Sequence, residues 1–446
     1  MQVDYDKLLP ALKRLLPSER LALLGSTTRF IRRLRAVSAS LFVWSVVLSR
    51  FGQGIPGFDQ ARQWFQQLSQ TSIWPRPFQM RFKTPASVRL LEEAFDEAVR
   101  PWRSMTRRVR HPLARLFPDV VAWDSSLVQV ADCLRQHFKG TRAAAASLKV
   151  ALAVSVWGLV PLAAKVVAGN LHDMKLGPPL KLFRKGTLLL FDKGFVAYDR
   201  LQKIDKVEQF YLCPMRLNGD AEIVRVHRAP ASLSKTLKRC SRLHEAPGAR
   251  PRGLMLRSVL PKTKRIRKPW DLEVLVRGAD KRPVRVRLVI VPGPDGKQRP
   301  YLTNLSPARW CPKALQELYR LRWQVELVFK ELKQHLNLTA MPSKDPCAVQ
   351  VFAWASLIAL ALSRAVADWL APLRRYTGLS FALRPAVLTR ALRAHIRLLG
   401  HALTLPTRRA VVLLEVLAAQ LLDEACQPAP ARADSFKRLE TLLKVA

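Results

Sequence analysis

The sequence predicts a chain of the α/β to α+β class: a mixed sheet flanked by helices, carrying a β-rich insertion and helical regions at both ends. Three observations predict it. Residues 120–123 and 188–191 are short, wholly apolar runs with the length and residue types of buried strands. Helical periodicity governs most of residues 1–115 and returns after residue 318. Between these stretches, residues 218–299 are basic and then rich in β-branched runs separated by turn residues, as an insertion built of strands would be.

Residues 1–115 read as a helical, basic N-terminal region with helices near 6–15, 18–34 and 39–50, punctuated later by prolines at 75, 77, 85 and 101. Aromatic and basic side chains interleave there (Phe30, Arg32, Arg33, Trp44, Trp64, Trp74), which suits a DNA-binding unit and equally an ordinary helical domain with a charged exterior. Residues 116–217 form the first part of a core. Its opening strand, 120–123, runs into Asp124; residues 149–156 and 159–167, split by Trp157-Gly158, read as a hairpin of the same sheet, with Pro161 placing the second strand at an edge. The strand at 188–191 delivers Asp192, followed by Lys193-Gly194-Phe195. An aspartate after a strand is most often a turn or capping residue. Two at equivalent places, ahead of an acid on a helix, point to chemistry, with Asp119, Asp132 and the His172-Asp173 pair as nearby alternatives.

Residues 300–370 hold the second part of the core. In 318–338 the spacing Tyr319-x2-Arg322-x3-Glu326-x6-Lys333 falls in a helix-patterned segment. At about 100° per residue these four and Lys330 lie within about 80° of one another on one helix. Leu318, Val325, Phe329, Leu332 and Leu336 form an adjacent apolar stripe, and Glu331 falls roughly 140° from Glu326, where it reads as a solvated residue. A carboxylate among cations and a phenol suits a metal-bound phosphodiester; the plainer alternative is a charged surface with weak i,i+4 pairs. Residues 351–370 read as a long apolar helix, and 371–446 as a basic helical region with Arg374, Arg375, Arg390, Arg393 and Arg397 and an apolar segment at 409–422.

Composition points the same way. The chain has 75 Lys+Arg against 33 Asp+Glu, a formal charge of +42, and a polyanion is the natural partner for that field. An anionic membrane is the rival, but a spanning helix needs about 20 apolar residues, and the runs near 150–164 and 351–363 read as shorter, bounded by Lys149, Lys165 and Arg364. The opening residues, with Asp4, Asp6 and Lys7, lack a signal-peptide pattern, so a cytoplasmic location is expected. The six cysteines form no C-x-x-C pair, and neither a zinc site nor a disulfide framework is expected.

The Tyr-Arg-Glu-Lys spacing resembles the signature helix of the D-D-E transposases of bacterial insertion sequences, in particular the group named after insertion sequence four. The resemblance spans about residues 119–338 and implies a ribonuclease H-like core. It implies that Asp124, Asp192 and Glu326 are the catalytic, metal-binding carboxylates and that Tyr319, Arg322, Lys330 and Lys333 contact DNA. In-line breakage of a phosphodiester by this chemistry uses two divalent ions, and oxygen ligands favour Mg2+ or Mn2+. The implied partner is double-stranded DNA, both the terminal inverted repeats and the target, bound by a nucleoid-associated bacterial protein that dimerises through residues 371–446. The basic insertion (Lys262, Lys264, Arg265, Arg267, Lys268) would grip DNA; Trp270 is a candidate for base stacking, though a core position suits it better. Two rivals remain: a structure-specific metal-dependent nuclease on the same fold, and a DNA-binding protein derived from a transposase without catalysis.

Overall fold

A computed structural model describes residues 14–426 apart from 34–36, 55, 105–111, 142–143, 216–220, 230–253, 260–265, 279–281, 294 and 377–382. In chain order its elements are helices α1 (Ser18–Thr27), α2 (Ala39–Ser49), α3 (Phe58–Ser69), α4 (Pro75–Met80) and α5 (Pro85–Ser104), then strands β1 (Val120–Gln129), β2 (Lys139–Thr141), β3 (Ala144–Ser155), β4 (Val160–Ala168) and β5 (Leu188–Phe191). Helix α6 (Tyr198–Lys206) leads to β6 (Phe210–Pro214), β7 (Glu222–Arg228), β8 (Leu254–Met255), β9 (Trp270–Arg277), β10 (Pro283–Pro292) and β11 (Gln298–Thr303). Helices α7 (Pro312–Arg320), α8 (Trp323–His335), α9 (Pro346–Tyr376), α10 (Pro385–Ala394), α11 (Ile396–Thr404) and α12 (Thr407–Ala425) complete the described chain. Nearly all of the helix expected at 6–15, and the basic residues Lys262, Lys264 and Arg265, lie outside the described residues.

The described residues fall into two compact units: those within Met1–Met105, Ser125–Leu171 and Val325–Ala431, and those within Thr106–Asp124 and His172–Gln324. The first unit is built around α9. This helix is apolar on nearly every side, and a helix of that kind is stable in water only when surrounded; α2, α5, α10 and β4 pack on it. It runs from Pro346 to Tyr376, well beyond the apolar stretch read from the sequence, and Pro346–Leu373 has the length and composition of a membrane-crossing segment, but 83% of its most apolar window is buried inside the protein. Phe42, Phe58, Phe78 and Phe82 cluster with Phe352 of α9. Arg50, at the end of α2, is wholly buried beside them. Its guanidinium donates to Ser356 Oγ at 3.0 Å, to the Ala340 carbonyl at 3.1 Å and to the Asn337 carbonyl, while Asn337 Nδ2 donates back to the Arg50 carbonyl at 2.8 Å. The carbonyls left open just past α8 are thereby satisfied, and Asn337 takes the left-handed backbone conformation (φ 54°) that favours asparagine at such an end.

In the same unit, β3 and β4 form the antiparallel hairpin read from the sequence, in register from Leu148↔Ala168 to Ser155↔Val160. The irregularity between Ala153 and Val154 falls opposite Pro161, and β4 pairs only with β3, which is the edge position a strand proline requires.

The second unit holds a mixed sheet in the order β1-β5-β6-β11-β10-β9-β7-β8. β1 is parallel to β5 and β5 to β6, and the remaining neighbours are antiparallel. Parallel central strands continued by antiparallel ones, with a helix between β5 and β6, agree with the mixed sheet expected from the sequence. The insertion's strands β7, β9 and β10 continue this sheet. They are tied to it by Arg287, which pairs with Asp271 through two hydrogen bonds of 2.9 and 2.7 Å and donates to the carbonyls of Leu305 and Trp310, each at 2.6 Å. Trp270 is 5% exposed and belongs to the core.

Candidate active site

Parallel pairing of β1 with β5 matches Val120↔Leu188 through Trp123↔Phe191, so Asp124 and Asp192 are the next residues along two adjacent strands. Neighbouring strands lie about 4.8 Å apart. The sequence reading placed Asp124 just past a strand end; the strand instead runs on to Gln129, leaving Asp124 within it. A run of polar residues, Asp124-Ser125-Ser126, had suggested a strand end, but a sheet strand tolerates polar side chains wherever one face is open. Asp192 does follow its strand, as expected, and begins the helical turn Lys193–Phe195 without a side-chain cap hydrogen bond. Under the two carboxylates, Trp123 meets Phe195 edge to face at 6.3 Å, and the Trp123 indole donates to the Leu176 carbonyl at 2.9 Å. Arg200, which sequence reasoning passed over, donates to the carbonyls of Phe195 and Met174 and fixes the turn after Asp192. No periodicity marks such an anchor; only the turn it caps does.

Arg322 lies against Asp124, its Nη1 donating to Oδ2 at 2.9 Å, and both side chains are mostly buried. The guanidinium carbon sits 5.7 Å from the centre of the Tyr319 ring, which in turn tilts against Tyr301 at 5.0 Å. Burial raises the Tyr319 phenol well above its ordinary value; Arg322 opposes this, while Asp192, Cys213 and Tyr301 add to it. Cys213 is buried, and burial together with Asp192 pushes its thiol up, which makes it a packing residue and a poor nucleophile.

The signature segment differs from the single helix read in the sequence. Helix α7 ends at Arg320 and α8 begins at Trp323. Backbone bonds from Leu321, Arg322 and Gln324 reach back three residues, not four, so the turn tightens where Arg322 leaves for Asp124. A hydrophobic pattern cannot register a one-turn change of hydrogen bonding. Tyr319 thus belongs to α7, Arg322 to the turn, and Glu326, Lys330 and Lys333 to α8. On α8 those three share one face by their i, i+4, i+7 spacing, with Glu326 in the first turn and Lys333 in the last. The stripe read from the sequence is buried: Leu318, Val325, Leu332 and Leu336 at 0% and Phe329 at 5% exposure.

Glu331 is the clear correction. It is 2% exposed, and its carboxylate accepts from Arg364 at 2.9 and 2.6 Å and from Thr389 at 2.5 Å, while Arg364 also donates to the Leu159 carbonyl. The far side of α8 faces α9 and α10, not solvent. The available signal was Arg364 itself, since an arginine inside an apolar helix needs an acid nearby. Among the described residues no three His, Cys, Asp or Glu side chains form a group able to hold a metal ion. The donor chemistry of Asp124, Asp192 and Glu326, all carboxylate and free of thiolate or imidazole, fits a hard ion such as Mg2+ or Mn2+ better than zinc.

The chain belongs to the family described as the transposase DDE domain, which matches residues 115–362. It is 26% identical over 219 residues, 48% of its length, to the Sinorhizobium fredii protein y4zB, which is named as a transposase. It is 40% identical over 58 residues, 13% of its length, to the Escherichia coli InsL protein of insertion sequence element IS186A, also named as a transposase. The matches span 52% of the first relative and 16% of the second, so the chain spans about half or less of the length of these curated relatives. A chain in the cryo-EM structure of a piggyBac transposase synaptic complex with hairpin DNA aligns over 98% of this chain and 84% of its own length, with 8% identity and a TM-score of 0.44.

Proposed function

We propose that this protein is the DNA transposase of a bacterial insertion sequence of the insertion-sequence-four group, cutting transposon ends and joining them to target DNA. The observation that carries the reading is the register of β1 and β5, which sets Asp124 and Asp192 side by side with Arg322 and Tyr319 next to them. Asp124, Asp192 and Glu326 would hold two Mg2+ or Mn2+ ions. When bound, such ions supply an activated oxygen nucleophile and stabilise the leaving oxygen. Arg322 balances the charge of Asp124, and a guanidinium is the side chain whose geometry suits a phosphate oxygen. Tyr319, a neutral phenol at physiological pH, donates to a second phosphate oxygen. Lys330 and Lys333 attract the strand along the same face of α8 as Glu326. Double-stranded DNA is the substrate, and a homodimer formed through residues 371–446 would hold two ends together.

The test uses the full chain with a labelled duplex taken from the DNA flanking its gene. Divalent-ion-dependent cleavage followed by joining of the labelled end to a plasmid supports the reading. Cleavage without joined products would favour a metal-dependent nuclease, and binding without cleavage a non-catalytic descendant.

A further inference from the structure

The first unit contains a second feature that the proposed chemistry leaves unused. A cavity of about 770 Å³ opens beside α3, α10 and α11, within the size range of ligand sites. Gln60, Gln63 and Gln67 line one wall, and their spacing places them within about 60° on α3. Arg393, Arg397 and His401 line the other, and among the described residues no acidic side chain lines the cavity. Ala61, Trp64 and Phe65 beside them on α3 are buried; Gln63 is exposed and Gln67 half-buried, while Gln60 donates to the Gln53 carbonyl at 3.2 Å. Gly400 lets α11 approach Trp64 so closely that a Cβ there would collide with the indole, which fixes the floor between the walls.

The charge of the second wall is also set in place. Arg393 donates to the carbonyls of Gln334 at 3.0 Å and Gly52 at 2.9 Å, which fixes the position of its guanidinium; Arg397 and His401 are exposed. Burial, with Arg393 and Arg390 beside it, holds the His335 imidazole below its usual range against the opposing pull of Glu331.

We propose that this cavity is a second DNA contact, in which Arg397 and His401 take backbone phosphates while Gln63 and Gln67 of α3 read base edges. Glutamine presents a donor and an acceptor side by side, the arrangement that pairs with the adenine edge, and arginine supplies the phosphate grip. The inference rests on the transposase reading and deepens it, because it assigns sequence discrimination to a place that holds none of the proposed catalytic carboxylates.

Fluorescence anisotropy with the full chain tests it. One labelled duplex comes from the DNA flanking the gene, a second is its scrambled counterpart, and salt is varied; Mn2+-dependent nicking is measured on the same preparations. Arg397→Ala should weaken both duplexes several-fold and lower the slope of log affinity against log salt by about 0.9, the loss of one phosphate contact. Gln63→Ala combined with Gln67→Ala should leave that slope unchanged but reduce preference for the flanking duplex by roughly tenfold. All three positions lie on the open cavity wall, so unchanged melting temperatures are expected. Wild-type binding and nicking with every variant indistinguishable would overturn the cavity assignment alone. A wild type that neither binds nor nicks either duplex would overturn it together with the transposase reading. Poly-glutamate displacing both duplexes from wild type, but not from Arg397→Ala, would reassign the cavity to an acidic polypeptide and overturn it as well.

Discussion

At the scale of single residues, two glutamates five positions apart on α8 stand in different settings: Glu331 is buried against Arg364, and Glu326 is the proposed metal ligand. Glu326→Gln preserves shape and helix propensity while removing one proposed metal-binding charge. DNA affinity should be kept or slightly raised, since it comes from Lys and Arg, while strand cleavage should fall by orders of magnitude in a Mg2+ assay. Glu331→Gln, which the sequence would offer as the quiet control, should instead cost about 3 kcal/mol of stability, because it leaves the buried Arg364 facing a neutral amide. A urea midpoint measures that loss. The exposed Glu93 on α5 is the proper control, and Glu93→Gln should match wild type in both stability and cleavage. Arg322 and Lys333 also separate. Arg322 pairs with Asp124 and competes with a cation for it, so Arg322→Ala should raise Mn2+ affinity while weakening end positioning, whereas Lys333→Ala should weaken end positioning alone. Calorimetric titration of Mn2+ beside the cleavage assay distinguishes them, and equal Mn2+ affinities would contradict the role given to Arg322.

At the scale of elements, the readable parts were those with a period. The β3–β4 hairpin, the edge position of Pro161, the strand before Asp192 and the buried stripe of α8 follow from apolar alternation and helical spacing, which are local. What sequence missed depends on hydrogen bonding that leaves no period: the local tightening at Leu321–Arg322, and, between distant segments, the continuation of β1 through Asp124, the Glu331–Arg364 pair and the Arg287–Asp271 pair between β10 and β9. Each candidate carboxylate sits in a recognisable local setting, but the contact between Arg322 and Asp124, 198 residues apart, has no local trace. Arg50 is a further case. Burial lowers it to about 9, so it stays charged at neutral pH without a carboxylate beside it, held by carbonyls beyond α8 and by Ser356. Arg50→Lys keeps the charge but loses the fork that spans those acceptors, and it should lower stability by about 2 kcal/mol in urea denaturation.

For the whole molecule, the charge of +42 makes the proposed affinity for DNA an ionic-strength phenomenon. If six to ten phosphates are engaged, binding should weaken by about 10³–10⁵ between 50 and 200 mM salt, which a filter-binding or anisotropy titration reads directly. An affinity that hardly moves over that range would contradict nucleic acid as the partner. The clasp between Arg50 and the end of α8 also sets a schedule. Its two sides are 287 residues apart, so at a synthesis rate of about 10 residues per second the N-terminal helices wait roughly half a minute before the carbonyls that receive Arg50 have been made. Throughout that interval the aromatic cluster on α2 and α4 has no α9 to cover it, and it is the natural target for a chaperone. Ribosome-stalled chains ending before Asn337 should be cut readily near α2 by a protease, and chains stalled well beyond Leu373 should resist it.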